Sequence, residues 1–274
     1  MESEYLFKNL DRYDTPDHVP VSKIFKLMFK SRWYFYLRNF GTFIRSGRCA
    51  AKGKLDKDNQ IYYSNDNIRL VEDCGSKVHL RGLDNLRALE GKPAVIIGNH
   101  MSLLETASLH AVIREHVDFS FVVKESLLHT LYIKDILNSM KAIGVSRTNP
   151  REDLKKVLSE GKRVLSEGRS MIVFPQSTRT RVFDREQFNS IGVKLAKSAG
   201  VPVVPMALKT DFLENGRFIR DLGPLKPERD VYFEFGKAME IEGVTPAETL
   251  IFEDSVVGIE AARASGAAYF KVTL

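Results

Sequence analysis

The stretch Ala94-Val-Ile-Ile-Gly-Asn99-His100-Met-Ser-Leu-Leu-Glu105 decides how the rest of the chain is read. Its apolar, β-branched run predicts a buried strand, and Gly98-Asn99 ends that strand and delivers a histidine to the start of a helix. If Met101 opens the helix, its first turn carries Glu105 back toward the imidazole, where the carboxylate accepts from one ring nitrogen. A histidine held in this way is a general base with its orienter. His-x-x-x-x-Glu alone arises easily by chance at an exposed helix end, so the pair gains its weight from the sequence around it.

Outward from this stretch, strand and helix patterns alternate. Val78-His-Leu-Arg-Gly82 reads as an edge strand, 107–116 as a helix, Phe119-Ser-Phe-Val-Val123 as a strand, and Leu127 to Met140 as a helix. A long helix follows over 151–167, with Leu154, Val157, Leu158, Val164 and Leu165 inward; then come a strand at Met171-Ile-Val-Phe174, a helix over 191–199, and strands over 203–208 and 231–235. Such alternation predicts an α/β fold, a largely parallel sheet flanked by helices. Functional loops then gather at strand ends.

Three further stretches share the interval and order of a known pattern: Lys141-Ala-Ile-Gly-Val-Ser-Arg147, Ile172-Val-Phe-Pro-Gln-Ser-Thr-Arg179 and Val201-Pro-Val-Val-Pro-Met-Ala-Leu208. Together with the first, they resemble the four sequence blocks of the glycerolipid acyltransferases, a family that includes the 1-acylglycerol-3-phosphate acyltransferases. The resemblance covers roughly residues 78 to 240. It implies that His100 is the general base and Glu105 its partner, and that Arg147, Gln176, Ser177, Thr178 and Arg179 bind the acceptor, with an arginine gripping its phosphate. Lys124 and Arg181 are weaker basic candidates. Two departures stand out. Most members carry aspartate where this chain has Glu105, although relatives acting on lipid A precursors also use glutamate. Gln176-Ser177 replaces a common Glu-Gly, which leaves a neutral donor and acceptor in place of a charge and removes glycine's backbone freedom.

Composition sets the outer limits. The 274 residues are 43% hydrophobic and 28% charged, a globular balance. No apolar run reaches the roughly 18–20 residues needed to cross a bilayer, and Met1-Glu-Ser-Glu4 lacks the form of a signal peptide. Cys49 and Cys74 lack metal-type spacing. The net charge of +6 suits an anionic membrane, an acidic carrier protein or a phosphorylated substrate. Nucleic acid is not expected, because no zinc-finger, RNA-binding aromatic or helix-turn-helix pattern is present.

Residues 1–48 form the expected membrane-docking segment. Phe25, Phe29, Trp33, Tyr36, Phe40 and Phe43 recur at three- and four-residue intervals, with Lys23, Lys26, Lys30, Arg32, Arg38 and Arg45 between them. That pattern predicts a basic amphipathic helical hairpin, bent at Gly41, whose aromatic stripe either lies in a membrane interface or packs on the core. Residues 49–77, rich in Asn, Asp and Gly, read as a linker with short strands such as Ile68-Arg-Leu-Val71. The acyltransferase-like domain is assigned to 78–243, and 244–274 to a tail. Around Phe252-Glu253-Asp254-Ser255 that tail resembles a fragment of the haloacid dehalogenase-like phosphohydrolases, without the Asp-x-Asp nucleophile of a complete enzyme; it is expected to add a strand and helix to the domain edge.

The expected function is therefore transfer of a fatty acyl group from an acyl thioester, on acyl-carrier protein or coenzyme A, to the hydroxyl of a lysophospholipid, 1-acylglycerol-3-phosphate first. It is expected at the cytoplasmic face of a membrane, without metal or tightly bound cofactor. The alternatives are a different lysolipid acceptor, carrying an amino acid or a saccharide, and a lipid-binding module that has lost catalysis.

Overall fold

The computed structural model describes residues 5–176, 178–182 and 187–239, together with two strands in the tail. In chain order the elements are β1 (Tyr13–Asp14), α1 (Lys23–Leu27), α2 (Arg32–Ala51), α3 (Lys57–Asp73), β2 (Val78–Arg81), α4 (Leu83–Arg87), β3 (Val95–Gly98), α5 (Leu104–Ile113) and β4 (Phe119–Lys124). A 3-10 turn at Glu125–His129 leads to α6 (Ile133–Ser139), β5 (Ile143–Val145), α7 (Pro150–Ser166), β6 (Ser170–Val173), α8 (Ile191–Ala199), β7 (Val203–Lys209) and β8 (Val231–Phe235). The tail contains β9 (Leu250–Glu253) and β10 (Ala268–Lys271).

Eight strands form one sheet in the order β1-β2-β8-β7-β3-β6-β4-β5. All neighbours are parallel except β1–β2 and β7–β8. The central strands β3 and β6 are buried along their whole length because both faces of the sheet are covered there. Ile96 pairs with Ile172 and Val204 in register, and these three side chains join one core with Ile68 of α3 and Leu109 and Val112 of α5. Their neighbours Val95, Ile97, Met171, Val173 and Val203 point the other way, onto Val157 and Val164 of α7 and Leu195 of α8. The sheet is thus the middle layer of three, and its strand exits on β3, β4, β5 and β6 gather the loops that matter below.

The expected mostly parallel α/β sheet is present, with differences around it. Val78–Arg81 is not an edge strand, because Tyr13–Asp14 pairs along its outer side. The helix expected over 127–140 is broken: Tyr132, at φ 63°, separates the 3-10 turn from α6.

The linker with short strands expected over 49–77 is replaced by α3, a helix of 17 residues. Asp56 caps it by accepting from the Asn59 N–H at 2.9 Å, the role for which aspartate suits a helix start. Asn67, read as a loop former, is buried and paired on its amide instead. Asn67 accepts from Asn39 of α2 at 2.7 Å and donates to the Ala107 carbonyl of α5 at 3.2 Å, where Ser64 also donates at 2.6 Å. The N-terminal helical hairpin is therefore built by α2 with α3, its second arm lying in the presumed linker. Gly41 sits inside an unbroken α2; the break falls at Phe29 and Lys30, both at φ 53°. That break resets the helical phase and divides the aromatic stripe. Phe25 and Tyr36 are buried, whereas Phe29, Trp33 and Phe40 are exposed together with Ile24, Leu27 and Leu37.

In the tail, β9 and β10 pair in parallel with each other as a separate two-stranded sheet, not along the edge of the main one. The helix expected between them, and Asp254 and Ser255 of the phosphohydrolase-like motif, lie outside the described residues.

Candidate active site

At the exit of β3 the backbone makes a close approach to β7: a Cβ on Gly98 would stand 2.7 Å from the Met206 methyl and 3.0 Å from its carbonyl oxygen, so any larger residue would have to displace Met206. Asn99 then locks the position. Its amide donates to the Leu208 carbonyl at 2.7 Å, and its carbonyl accepts from the Leu208 N–H at 2.8 Å. His100 follows on this anchored backbone.

The imidazole Nδ1 of His100 meets Oε2 of Glu105, and a carboxylate there fixes Nδ1–H as the donor, leaving Nε2 as the acceptor of the neutral ring. The ring stacks on Phe174 at the exit of β6, with centroids 4.4 Å apart and planes at 17°. His100 is 19% exposed, while Glu105 in the first turn of α5 is fully buried. Burying a carboxylate is costly unless its oxygens are occupied. Oε1 accepts from the Met101 N–H at 2.8 Å, the Ser102 N–H at 2.9 Å and the Thr210 hydroxyl. Ser102 in turn donates to Thr210 at 2.9 Å. Placement at a helix N-terminus favours the negative charge further.

The remaining expected residues divide. Gln176, 2% exposed, is occupied by the chain itself: its carbonyl accepts from the His100 N–H at 3.0 Å, and its amide donates to the Thr180 hydroxyl at 2.7 Å. Arg179 pairs with Asp221, and its carbonyl accepts from Arg220. Thr178 is half-buried on the same turn, and Ser177 lies outside the described residues. Arg147 sits beyond β5 at φ 63°, where its N–H donates to Asp153 at 2.7 Å. Burial pushes its guanidinium down from the ordinary arginine range, with Asp153 opposing. Arg147 lines a cleft of about 440 Å³ with Lys194 of α8 and the apolar Val122, Leu154 and Phe174. Phe174 thus belongs both to that cleft and to the stack on His100. The basic candidates Lys124 and Arg181 do not line this cleft; Arg181 faces Glu214 at 3.8 Å.

Thr210 and Lys194 escaped the sequence reading. Thr210 stands two residues past the fourth block, 105 residues from its partner Glu105. Only the pairing of β3 with β7 brings the two together, and no local spacing signals it.

Residues 77–209 match the family model described as Acyltransferase. This stretch is thus similar to the acyltransferase domain. Among curated proteins, the 1-acyl-sn-glycerol-3-phosphate acyltransferase of Pseudomonas aeruginosa is 31% identical over 173 residues, 63% of each chain. The enzyme of that name from Borreliella burgdorferi is 28% identical over 54% of this chain and 56% of its own. The chain therefore spans about three fifths of the length of these relatives. The crystal structure of the 1-acyl-sn-glycerophosphate acyltransferase PlsC from Thermotoga maritima shares the fold, with TM-score 0.57 over 88% of this chain and 94% of that one at 16% identity. The acyltransferase match contains His100, Glu105, Arg147 and Gln176, while Thr210 lies just beyond its end.

Proposed function

We propose that this protein is an O-acyltransferase that moves a fatty acyl group from an acyl thioester, carried by acyl-carrier protein or coenzyme A, to the free hydroxyl of 1-acylglycerol-3-phosphate at a membrane surface. The observation that carries the reading is the His100–Glu105 pair: a partly exposed imidazole whose Nδ1 is committed to a buried carboxylate and whose Nε2 is left to take a proton. As the acceptor oxygen attacks the thioester carbon, its proton passes to Nε2, and Glu105 stabilises the imidazolium. A carbon–oxygen bond forms, the carbon–sulfur bond breaks, and the imidazolium returns its proton to the departing thiolate. No nucleophile on the protein is needed, since the thioester is already activated, and no metal or resident cofactor enters the scheme.

Relatives named for 1-acyl-sn-glycerol-3-phosphate support the acceptor class. The cleft shared by Phe174 and Arg147 supports its orientation, offering a cation for the phosphate and apolar wall beside the base. Gln176 holds the backbone of His100, and it acts on the acceptor through that histidine. No helix among the described residues is long and apolar enough to cross a membrane. We assign membrane contact to the exposed side of α1 and α2, where Leu27 and Phe29 are 78% and 95% exposed and where lysines and arginines alternate with apolar side chains.

Purified protein assayed with anionic vesicles, both thioester donors and a panel of lysolipids tests this reading. Turnover should be best with 1-acylglycerol-3-phosphate and fall by about 10²–10⁴ in His100→Ala. Vesicle binding without transfer to any acceptor would replace the enzyme with a lipid-binding module.

A further inference from the structure

Between β7 and β8 the chain folds into a finger. Leu213 and Leu225 bridge at its base, the Glu214 N–H donates to the Pro224 carbonyl at 3.0 Å, the Gly216 N–H to the Arg220 carbonyl at 2.9 Å, and the Leu222 N–H to the Ile219 carbonyl at 2.9 Å. The turn is tight enough that a Cβ on Gly216 would stand 2.1 Å from the Ile219 oxygen. Its tip is Arg217-Phe218-Ile219-Arg220, with Phe218 94% and Ile219 60% exposed. A built turn that holds two apolar side chains in water between two arginines calls for a partner that is apolar and anionic at once.

We propose that this finger is a second membrane contact, inserting Phe218 and Ile219 among the acyl chains of an anionic leaflet while Arg217 and Arg220 meet the headgroups. Two observations select a bilayer over a protein. The tip is a projecting turn with cations on both sides, which matches an anionic surface, and the nearby acids are turned to internal partners: Asp221 to Arg179, and Glu214 to Arg229 at 2.6 Å. The finger is also continuous with α2. Arg32 donates to the Leu222 carbonyl at 3.2 Å and Tyr36 to the Gly223 carbonyl at 2.9 Å, on the same turns of α2 that expose Trp33 and Leu37. This step rests on the membrane reading of α1 and α2.

The finger also reaches the catalytic loop. Asn215 donates to the Met101 carbonyl at 2.9 Å, and the Met101 N–H is one of the donors to Glu105. Arg220 and Asp221 both hold Arg179. Membrane contact at the tip therefore bears on the segment that follows His100, through hydrogen bonds of the folded chain.

The test compares the full chain with Phe218→Ser/Ile219→Ser and, separately, Leu27→Ser/Phe29→Ser. Each is measured by co-sedimentation with phosphatidylglycerol–phosphatidylcholine vesicles, by acyl transfer to lysophosphatidate in those vesicles, and by transfer to a short-chain lysophosphatidate kept below its micellar concentration. Loss of vesicle affinity by about tenfold or more in the finger variant, with a matching loss of transfer in vesicles and unchanged transfer to the monomeric acceptor, is the expected result. Unchanged vesicle affinity overturns the finger, whatever the α1 variant does. A wild-type dimer that becomes a monomer in the finger variant, with lipid absent, assigns the surface to a second copy and overturns it equally. As a readout that leaves the finger's apolar character intact, the emission of Trp33→Phe/Phe218→Trp should shift to the blue on adding vesicles; a spectrum that stays put refutes insertion. If wild type transfers to neither acceptor, the acyltransferase reading fails while the sedimentation result still decides the finger.

Discussion

Thr210, at the end of β7, donates its hydroxyl hydrogen to Glu105, the partner of His100 on α5. The contact joins the exits of two neighbouring parallel strands, β3 and β7, and makes Thr210 a positioning residue for the proposed base, which it does not touch. Thr210→Val keeps the shape and removes the donor, leaving a buried carboxylate with one bond fewer. A hydrogen bond to a charged group is worth about 1.5–3 kcal/mol, so kcat should fall about tenfold or more with KM kept. Thr210→Ser should restore it. A loss in Thr210→Ser with Thr210→Val unaffected would point to packing of the methyl group and against the hydroxyl.

Glu105 has both oxygens occupied, and in the proposed mechanism its charge stabilises the imidazolium. In Glu105→Gln the amide either keeps its oxygen toward the Met101 and Ser102 N–H groups and donates to Nδ1, which places the ring hydrogen on Nε2, or turns its NH2 toward those N–H groups and leaves them without an acceptor. Transfer should fall on the order of 10²–10⁴. Activity within a factor of a few of wild type would show that the carboxylate does not orient the base.

Gln176 carries a sharper expectation because its two ends do different things. Gln176→Leu strands the His100 N–H and takes the amide donor away from the Thr180 hydroxyl oxygen, and should cost about 1–3 kcal/mol in stability, measured by denaturant unfolding. Gln176→Glu keeps an acceptor for His100 and asks Thr180, which now donates to the Val182 carbonyl at 2.9 Å, to turn its hydrogen around. Its activity should remain within about tenfold of wild type, as a lost neutral hydrogen bond allows. A much larger loss would assign Gln176 a direct role on the acceptor.

Stability should depend on pH through the far end of α5. Burial pushes the Glu115 carboxyl up to about 7 from 4.5, against the opposing pull of the Phe7 N–H, Lys8 and Lys57. Burial likewise pushes His116 down to about 4 from 6.5 and His110 well below its ordinary value. The folded chain keeps the Glu115 proton that the unfolded chain releases, so this group makes stability fall as pH rises from 4.5 to 7. The histidines stay neutral in the fold and charge on unfolding, so they make stability rise with pH from 4 to 6.5. The two oppose each other across most of that window. Glu115→Gln removes the first and leaves the second, and its unfolding midpoint should climb with pH more steeply than that of wild type. Parallel curves would exclude a titrating Glu115.

The sheet was legible in the sequence because each central strand is apolar on both faces, and the His100–Glu105 pair because a strand exit and one helical turn bring them together locally. What stayed hidden was tertiary. Asn67 of α3 looks like a turn former until Ala107 and Asn39 supply partners, which only packing against α5 and α2 provides. The aromatic stripe is regular in sequence, yet two left-handed residues at 29 and 30 shift its phase in space. Gln176 looked like an acceptor ligand because its block matches one, and Thr210 carried no signal because its partner is a hundred residues away.

Phe174 presents one face of its ring to His100 and belongs also to the wall of the cleft that holds Arg147. The plane of the base is therefore set by a surface that any occupant of the cleft must press. Phe121 stacks on Phe174 as well, with centroids 6.4 Å apart and planes at 16°, so the wall that carries the imidazole is itself anchored in the core. Selectivity and reactivity then have a common mechanical part, and a change of size at position 174 would alter both together.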